Sequence, residues 1–184
     1  MTGPGRLIAV VGPSGVGKDS VMTALAAAVP GLGCVRRVIT RAAEAGGEDF
    51  TPSDNATFER LRAEGAFALH WGAHGLRYGI PHRELLPLDQ GRDLLVNLSR
   101  GVLAEAAQRV PRLVVLHLTA TPETLAQRLA ARGREEGDTL TRRLARTGAA
   151  IPADLPGITV ANDGALDDTV AAICAQLFPD NGRV

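Results

Sequence analysis

Residues 7–22 read Leu7-Ile8-Ala9-Val10-Val11-Gly12-Pro13-Ser14-Gly15-Val16-Gly17-Lys18-Asp19-Ser20-Val21-Met22. Leu7 to Val11 is a continuous apolar run of strand length, the pattern of a parallel strand buried on both faces. Gly12 to Lys18 fits G-x-x-x-x-G-K. Val21, Met22, Leu25 and Val29 then recur at helical spacing until Pro30-Gly31 stops the helix. Strand, glycine loop, lysine and helix in this order form a phosphate cradle. Glycines let backbone N–H groups turn inward and approach phosphate oxygens without a Cβ clash. The helix N-terminus adds the positive end of its dipole, and Lys18 bridges β- and γ-phosphates as a mobile point charge. The expected cofactor is ATP, held by Gly12, Pro13, Ser14, Gly15, Val16, Gly17, Lys18, Asp19 and Ser20, with Lys18 also catalytic. A Ser or Thr usually follows the lysine and ligates Mg²⁺; here Asp19 stands there, with Ser20 beyond it. A carboxylate suits a hard cation, so Asp19 is the candidate Mg²⁺ ligand; a water-mediated role or a helix cap are its other readings.

Outward from the loop, strands alternate with helices. Cys34 to Ile39 reads as a second strand and Thr40 to Pro52 as a polar, glycine-rich loop. Asp54 caps a helix to Glu64, and Ala66 to Trp71 and Leu76 to Ile80 read as strands around a turn at Gly72 to Gly75. Pro81 starts a short helix over 82–88. Then come a strand at Asp93 to Leu98, a helix at Gly101 to Val110, a strand at Leu113 to Leu118, and a helix capped by Thr121 that runs to Arg132. Leu140 to Thr147 is helical, Ile158 to Ala161 a strand and Leu166 to Phe178 a helix. The expected class is α/β: a P-loop NTPase with a parallel sheet covered by helices on both faces. Short strands crowd residues 35–88, which read as a small α+β insertion within a single domain. The core is then 1–34 and 89–184, and a helical lid spans 128–147.

The 184 residues suffice for one full core. Twenty basic and twenty acidic residues sum to zero charge, which argues against a general nucleic-acid partner, and the few aromatic rings argue against a base-stacking platform. Cys34 and Cys174, far apart in apolar surroundings, read as free thiols in a reducing cytoplasm. No run reaches the ~20 apolar residues of a membrane span, so no membrane partner is expected.

Arg128, Arg132 and Arg143 flank the charged break Gly133 to Thr139, with Arg128 and Arg132 one turn apart. Arginines on a hinged segment neutralise a transferring phosphoryl group; a solvated helix paired with Glu135, Glu136 and Asp138 is the alternative. The loop, the lid and the insertion together resemble the guanylate kinase group of nucleoside monophosphate kinases over nearly the whole chain. Thr40-Arg41 looks like the start of that group's acceptor-phosphate segment and Tyr78-Gly79 like the end of its nucleotide-binding hairpin. Arg128-Leu129, Arg132-Gly133 and Arg143-Leu144 fall at its lid spacing, and Asn162-Asp163 resembles its segment beside the adenine. The resemblance implies catalytic roles for Arg132 and Arg143 and ATP contacts for Arg128 and Asn162.

The departures narrow the reading. Leu69 stands where guanylate kinases carry the glutamate that reads guanine, Ile80 replaces a hydroxyl, and Asn97-Leu98-Ser99-Arg100-Gly101 replaces an acidic segment. A guanine edge facing Leu69 would lose roughly 1–3 kcal/mol per unsatisfied group. Arg37-Val38-Ile39-Thr40-Arg41, Gly46-Gly47-Glu48-Asp49, the stretch His70 to Pro81, Val96 to Gly101 and Gly17-Lys18-Asp19 resemble one branch, the ribose 1,5-bisphosphate phosphokinases of phosphonate degradation. The resemblance implies phosphorylation of that sugar bisphosphate by ATP to 5-phospho-ribose 1-diphosphate. Arg37, Arg41, Arg77, Tyr78 and Arg100 are the candidate acceptor-binding residues, suited to two phosphates and no base. Plain structural readings stand beside them: solvated arginines at 37 and 77, a strand–helix turn at Arg100. His70 and His74 read as turn or strand-face histidines, and Glu48 and Asp49 either shape the loop or orient Mg²⁺ or sugar hydroxyls; none of the four has an assigned role. The rival functions are a true nucleoside monophosphate kinase and a catalytically weak binding module of the same fold.

Overall fold

The computed structural model describes residues 3–43, 48–131 and 150–179. Five strands, β1 (Leu7–Val11), β2 (Gly33–Cys34), β7 (Leu94–Asn97), β8 (Leu113–Thr119) and β9 (Gly157–Ala161), form an all-parallel sheet in the order β2-β7-β1-β8-β9. β1 is central, so every residue of its apolar run is buried. Alternate residues serve opposite faces. Ile8, Val10, Leu116 and Leu118 pack against α1 (Lys18–Ala28) and the last described helix, α6 (Leu166–Leu177). Leu7, Ala9, Leu94, Val96 and Val115 pack against α4 (Leu103–Arg109). Both faces are therefore covered, as a parallel sheet requires.

A second sheet runs β4-β3-β6-β5, from β3 (Arg37–Ile39), β4 (Phe50–Pro52), β5 (Phe67–Ala73) and β6 (Leu76–Pro81). β3 and β4 pair in parallel, while β6 runs antiparallel to both β3 and β5. α2 (Asn55–Ala63) covers it, opened by Asp54, whose Oδ1 accepts the Thr57 N–H at 2.7 Å. Phe58 and Phe67 stack beneath it with centroids 4.8 Å apart. The β5–β6 turn places His74 and Gly75 at φ 53 and 74, the left-handed pair that a two-residue hairpin of this twist demands.

Two stretches differ from the sequence expectation. Cys34 to Ile39 is two strands in different sheets, because the chain leaves β2 at Val35-Arg36 and re-enters as β3. Phe50–Pro52, expected as loop, is a strand: its pairing with Arg37–Ile39 comes from a partner a dozen residues away, invisible to local composition. His82–Leu85 is a 3₁₀ turn that leads into the one-turn α3 (Leu86–Asp89). α5 (Pro122–Ala131) begins as expected, with Thr121 Oγ1 accepting the Thr124 N–H at 3.2 Å. The expected helix at Leu140 to Thr147, with Arg132, Arg143 and the break between them, lies outside the described residues, as do Gly46-Gly47. Among the described residues no helix is long and apolar enough to cross a membrane.

Candidate active site

The phosphate loop turns out of the carboxyl end of β1 and into α1. Two of its glycines are required by what surrounds them. A Cβ on Gly12 would lie 2.5 Å from the Leu118 carbonyl oxygen of β8, which cannot give way. Gly17 sits at φ 93, and its Cβ would meet Asn162 Nδ2 at 2.8 Å. Lys18 Nζ donates to the Gly12 and Pro13 carbonyls at 2.9 and 3.2 Å. Burial lowers its pKa to about 8; Arg37 and Arg100 push the same way, against the opposing pull of Asp19.

The loop is clasped from below. Val16 is buried, and its carbonyl accepts from Asn162 Nδ2 at 2.8 Å and from Arg128 Nη1 at 3.3 Å. Asn162 Oδ1 in turn accepts from Thr169 Oγ1 of α6 at 2.8 Å. Both residues expected to touch the nucleotide hold the loop's backbone, and neither lines the cavity above it. Asp163 stays at the surface and accepts the Thr121 N–H at 2.7 Å, which joins β9 to the start of α5 and holds its carboxyl below the usual range.

Above the loop a cavity of about 470 Å³ reaches from Gly12, Ser14, Lys18 and Asp19 to the second sheet. Arg37, Arg41, Tyr78 and Arg100 line it, as do Glu48, Trp71, His74, Asn97 and Ser99. Nucleotide-side and acceptor-side candidates therefore share one space. Pro13, Gly15 and Gly17 line it too, whereas Ser20, exposed on α1, does not.

Arg37 is bound differently from expectation. It is almost wholly buried, at 4% exposed, and all its donor groups have partners. Nε donates to Glu48 Oε2 at 3.0 Å, Nη2 to Glu48 Oε1, and Nη1 to the Asn97 carbonyl at 2.9 Å. Its guanidinium lies 5.0 Å from the Tyr78 ring and 5.9 Å from the Trp71 ring. Those two rings, opposite one another across β5 and β6, stack at 5.3 Å and 9°. Asn97 Nδ2 donates to Asp19 Oδ1 at 3.2 Å, so the acceptor sheet is tied through β7 to the head of α1.

Arg77 lies elsewhere. Tyr78 faces the cavity, so its strand neighbour faces away, and Arg77 forms an ion pair with Glu59 of α2 on the far side of the sheet. Leu69 does not reach the cavity either. It is 1% exposed in the core with Ile80, Leu88 and Leu98, and Trp71 packs against the same cluster. Arg41 lines the cavity with its guanidinium 4.3 Å from the Phe50 ring. His70 is exposed outside the cavity, and Asp49 pairs with Arg36 at 3.2 Å on the surface. Trp71, Glu48 and Asn97 were not singled out as site residues from the sequence. The alternation on β5 offered a signal for Trp71, which pairs with Tyr78; for Glu48 the signal was the Gly46-Gly47-Glu48-Asp49 segment, which left its role open.

Residues 8–147 match the AAA domain family. A ribose 1,5-bisphosphate phosphokinase PhnN of Ruegeria sp. is 54% identical over 168 residues, which covers 90% of this chain and 88% of that one. One from Pseudomonas paraeruginosa is 49% identical over 96% of this chain and 97% of its own. The fold is that of the crystal structure of guanylate kinase from Anaplasma phagocytophilum, with a TM-score of 0.73 at 18% identity over 100% of this chain and 89% of that one. With that identity sustained from end to end around a glycine loop of this geometry, the chain belongs to the ribose 1,5-bisphosphate phosphokinase family.

Proposed function

We infer that the protein transfers the γ-phosphoryl group of ATP to the 1-phosphate of ribose 1,5-bisphosphate, releasing ADP and forming 5-phospho-ribose 1-diphosphate, a step of phosphonate breakdown. The observation that carries this reading is the single cavity joining Lys18 to Arg41, Tyr78 and Arg100, with Leu69 shut in the core. An oxygen of the 1-phosphate attacks the γ-phosphorus and the β–γ bridging bond breaks, so one phosphoanhydride replaces another. The nucleophile is already ionised near neutral pH, and no general base is needed. Catalysis is then positioning and charge neutralisation. Lys18 carries charge at the β- and γ-phosphates, and Arg41, Arg100 and Tyr78 hold the acceptor's phosphates. Arg132 and Arg143 retain, on the resemblance, the role of neutralising the transferring group. The second sheet is the acceptor-binding part of one domain whose core is 1–34 and 89–184.

Asp19 fits a Mg²⁺ site in its chemistry: it is a carboxylate lining the cavity beside Lys18. Among the described residues no three His, Cys, Asp or Glu gather into a cage, and Mg²⁺ takes one or two carboxylates with phosphate oxygens and water. Bound there, the ion would neutralise phosphate charge; Asn97 keeps the Asp19 carboxylate oriented toward that task.

The test is transfer from Mg·ATP to ribose 1,5-bisphosphate and to GMP in parallel, with products identified. The expected product is 5-phospho-ribose 1-diphosphate with little GDP; rapid GDP formation would make this a nucleotide kinase. A companion prediction concerns Leu69. Leu69→Glu is expected to cost about 3 kcal/mol or more, because it buries a carboxylate without a partner, and to yield no GMP kinase. Denaturant unfolding and GDP assays check this; a folded variant that makes GDP would show that the position opens onto the acceptor.

A further inference from the structure

Among the described residues, six charged side chains line the cavity: Lys18, Arg37, Arg41, Arg100, Asp19 and Glu48. Lys18 serves the nucleotide, and Arg41 and Arg100 suit an acceptor bearing two phosphates. Asp19 stands beside the phosphate loop, where a metal ion belongs. Glu48 is the counter-ion of buried Arg37, yet it also lines the cavity at the acceptor end, beside Arg41, Arg100 and Tyr78, the groups that must attract phosphate. Toward the substrate, a carboxylate in that place repels phosphate and favours a neutral hydrogen-bond donor.

The packing shows how the carboxylate is held. Both Glu48 oxygens accept from Arg37, which lies deeper: the Glu48 side chain is 18% exposed and that of Arg37 5%. Arg37 is fixed in turn by the Asn97 carbonyl and by the Tyr78 and Trp71 rings. Each carboxylate oxygen has a further lone pair beyond the one Arg37 occupies. Trp71, stacked on Tyr78, also lines the cavity.

Building on the function proposed above, we propose that Glu48 is a specificity residue that accepts hydrogen bonds from the ribose hydroxyls of the acceptor. The two vicinal hydroxyls are the acceptor's neutral donors, and they lie between its two phosphates. Arg41, Arg100 and Tyr78 then take the phosphates while Glu48 reads the sugar between them. The arrangement rejects a deoxy sugar because a carboxylate already desolvated against Arg37 would be left short of a partner.

The experiment compares kcat/KM for ribose 1,5-bisphosphate with that for its 2-deoxy and 3-deoxy analogues, in the wild type and in Glu48→Gln, which keeps one acceptor oxygen for Arg37. The wild type is expected to disfavour at least one analogue by on the order of 10²-fold. In Glu48→Gln that ratio is expected to fall by about tenfold or more, chiefly through slower turnover of the ribose substrate. If the variant slows all three acceptors in equal proportion, Glu48 acts only by propping Arg37 and the assignment is wrong. A wild type indifferent to both deoxy analogues overturns it as well. Absence of any turnover of ribose 1,5-bisphosphate by the wild type is a different failure, since it removes the proposed function and this assignment with it.

Discussion

Replacing Lys18 by alanine is expected to lower phosphoryl transfer by about 10³-fold or more, yet to leave the folded protein at least as stable at pH 7. The two effects share one cause. Lys18 Nζ sits half-buried over the loop, its charge opposed by desolvation and by Arg37 and Arg100, which lowers its pKa to about 8 from an ordinary 10.5. Between those values the unfolded chain binds more protons than the folded one, so stability rises as pH climbs from about 8 to 10.5. Below pH 8 the lysine is charged in both states and the full cost is present, on the order of 1–3 kcal/mol. Removing the side chain removes that cost, so the variant's advantage should be largest at neutral pH and vanish by about pH 10.5.

Binding of the nucleotide reverses the balance, because polyphosphate beside Nζ favours the ammonium. At pH 8, ATP binding should take up about half a proton in the wild type and none through this group in Lys18→Ala. Titration calorimetry in buffers of different ionisation heat measures the uptake, and denaturant unfolding across pH measures the stability. A variant with near-normal turnover would sink the reading of the loop; a variant unstable at pH 7 would sink the account of the lysine's cost.

What the sequence made legible was what local rules determine. The phosphate loop was, since strand, glycines, lysine and helix are contiguous, and the same steric and dipolar requirements reappear around Gly12 and Gly17. The parallel sheet was as well, since its strands are apolar runs between amphipathic helices. Contacts made across the chain were not. One apolar-rich stretch, Cys34 to Ile39, serves two sheets, and a short strand at Phe50–Pro52 exists only because β3 lies beside it. Asn162 was noticed, but its partners, the Val16 carbonyl and Thr169, are set by how β9 and α6 meet the loop, so a ligand contact and a loop clasp look alike in sequence. Arg77 is a different case. Neighbours on a strand face opposite ways, so Arg77 and Tyr78 belong to different faces, and the pairing of Arg77 with Glu59 follows.

Arg37 separates these two kinds of knowledge most sharply, and its removal is the second large effect expected. As a direct phosphate ligand it would be dispensable for folding, and Arg37→Met would raise the acceptor KM with no change in stability. The structure assigns it to Glu48, the Asn97 carbonyl and two aromatic rings. Arg37→Met should therefore leave Glu48 charged without its counter-ion and cost about 3–5 kcal/mol. For a chain of this length that corresponds to a fall in Tm of roughly 6–20 °C. Arg37→Lys should recover only part of this, since one ammonium cannot reproduce a fork that spans a carboxylate and a carbonyl. Removing both charges in Arg37→Met/Glu48→Gln should return most of the lost stability, because no carboxylate is then stranded. Turnover should not return with it, as the double variant still lacks the carboxylate that reads the sugar. Recovery of stability without recovery of ribose selectivity would separate the pair's two tasks, holding the acceptor sheet to β7 and presenting Glu48 to the substrate. An Arg37→Met protein of unchanged Tm would return Arg37 to the list of phosphate ligands and leave Glu48 without its anchor.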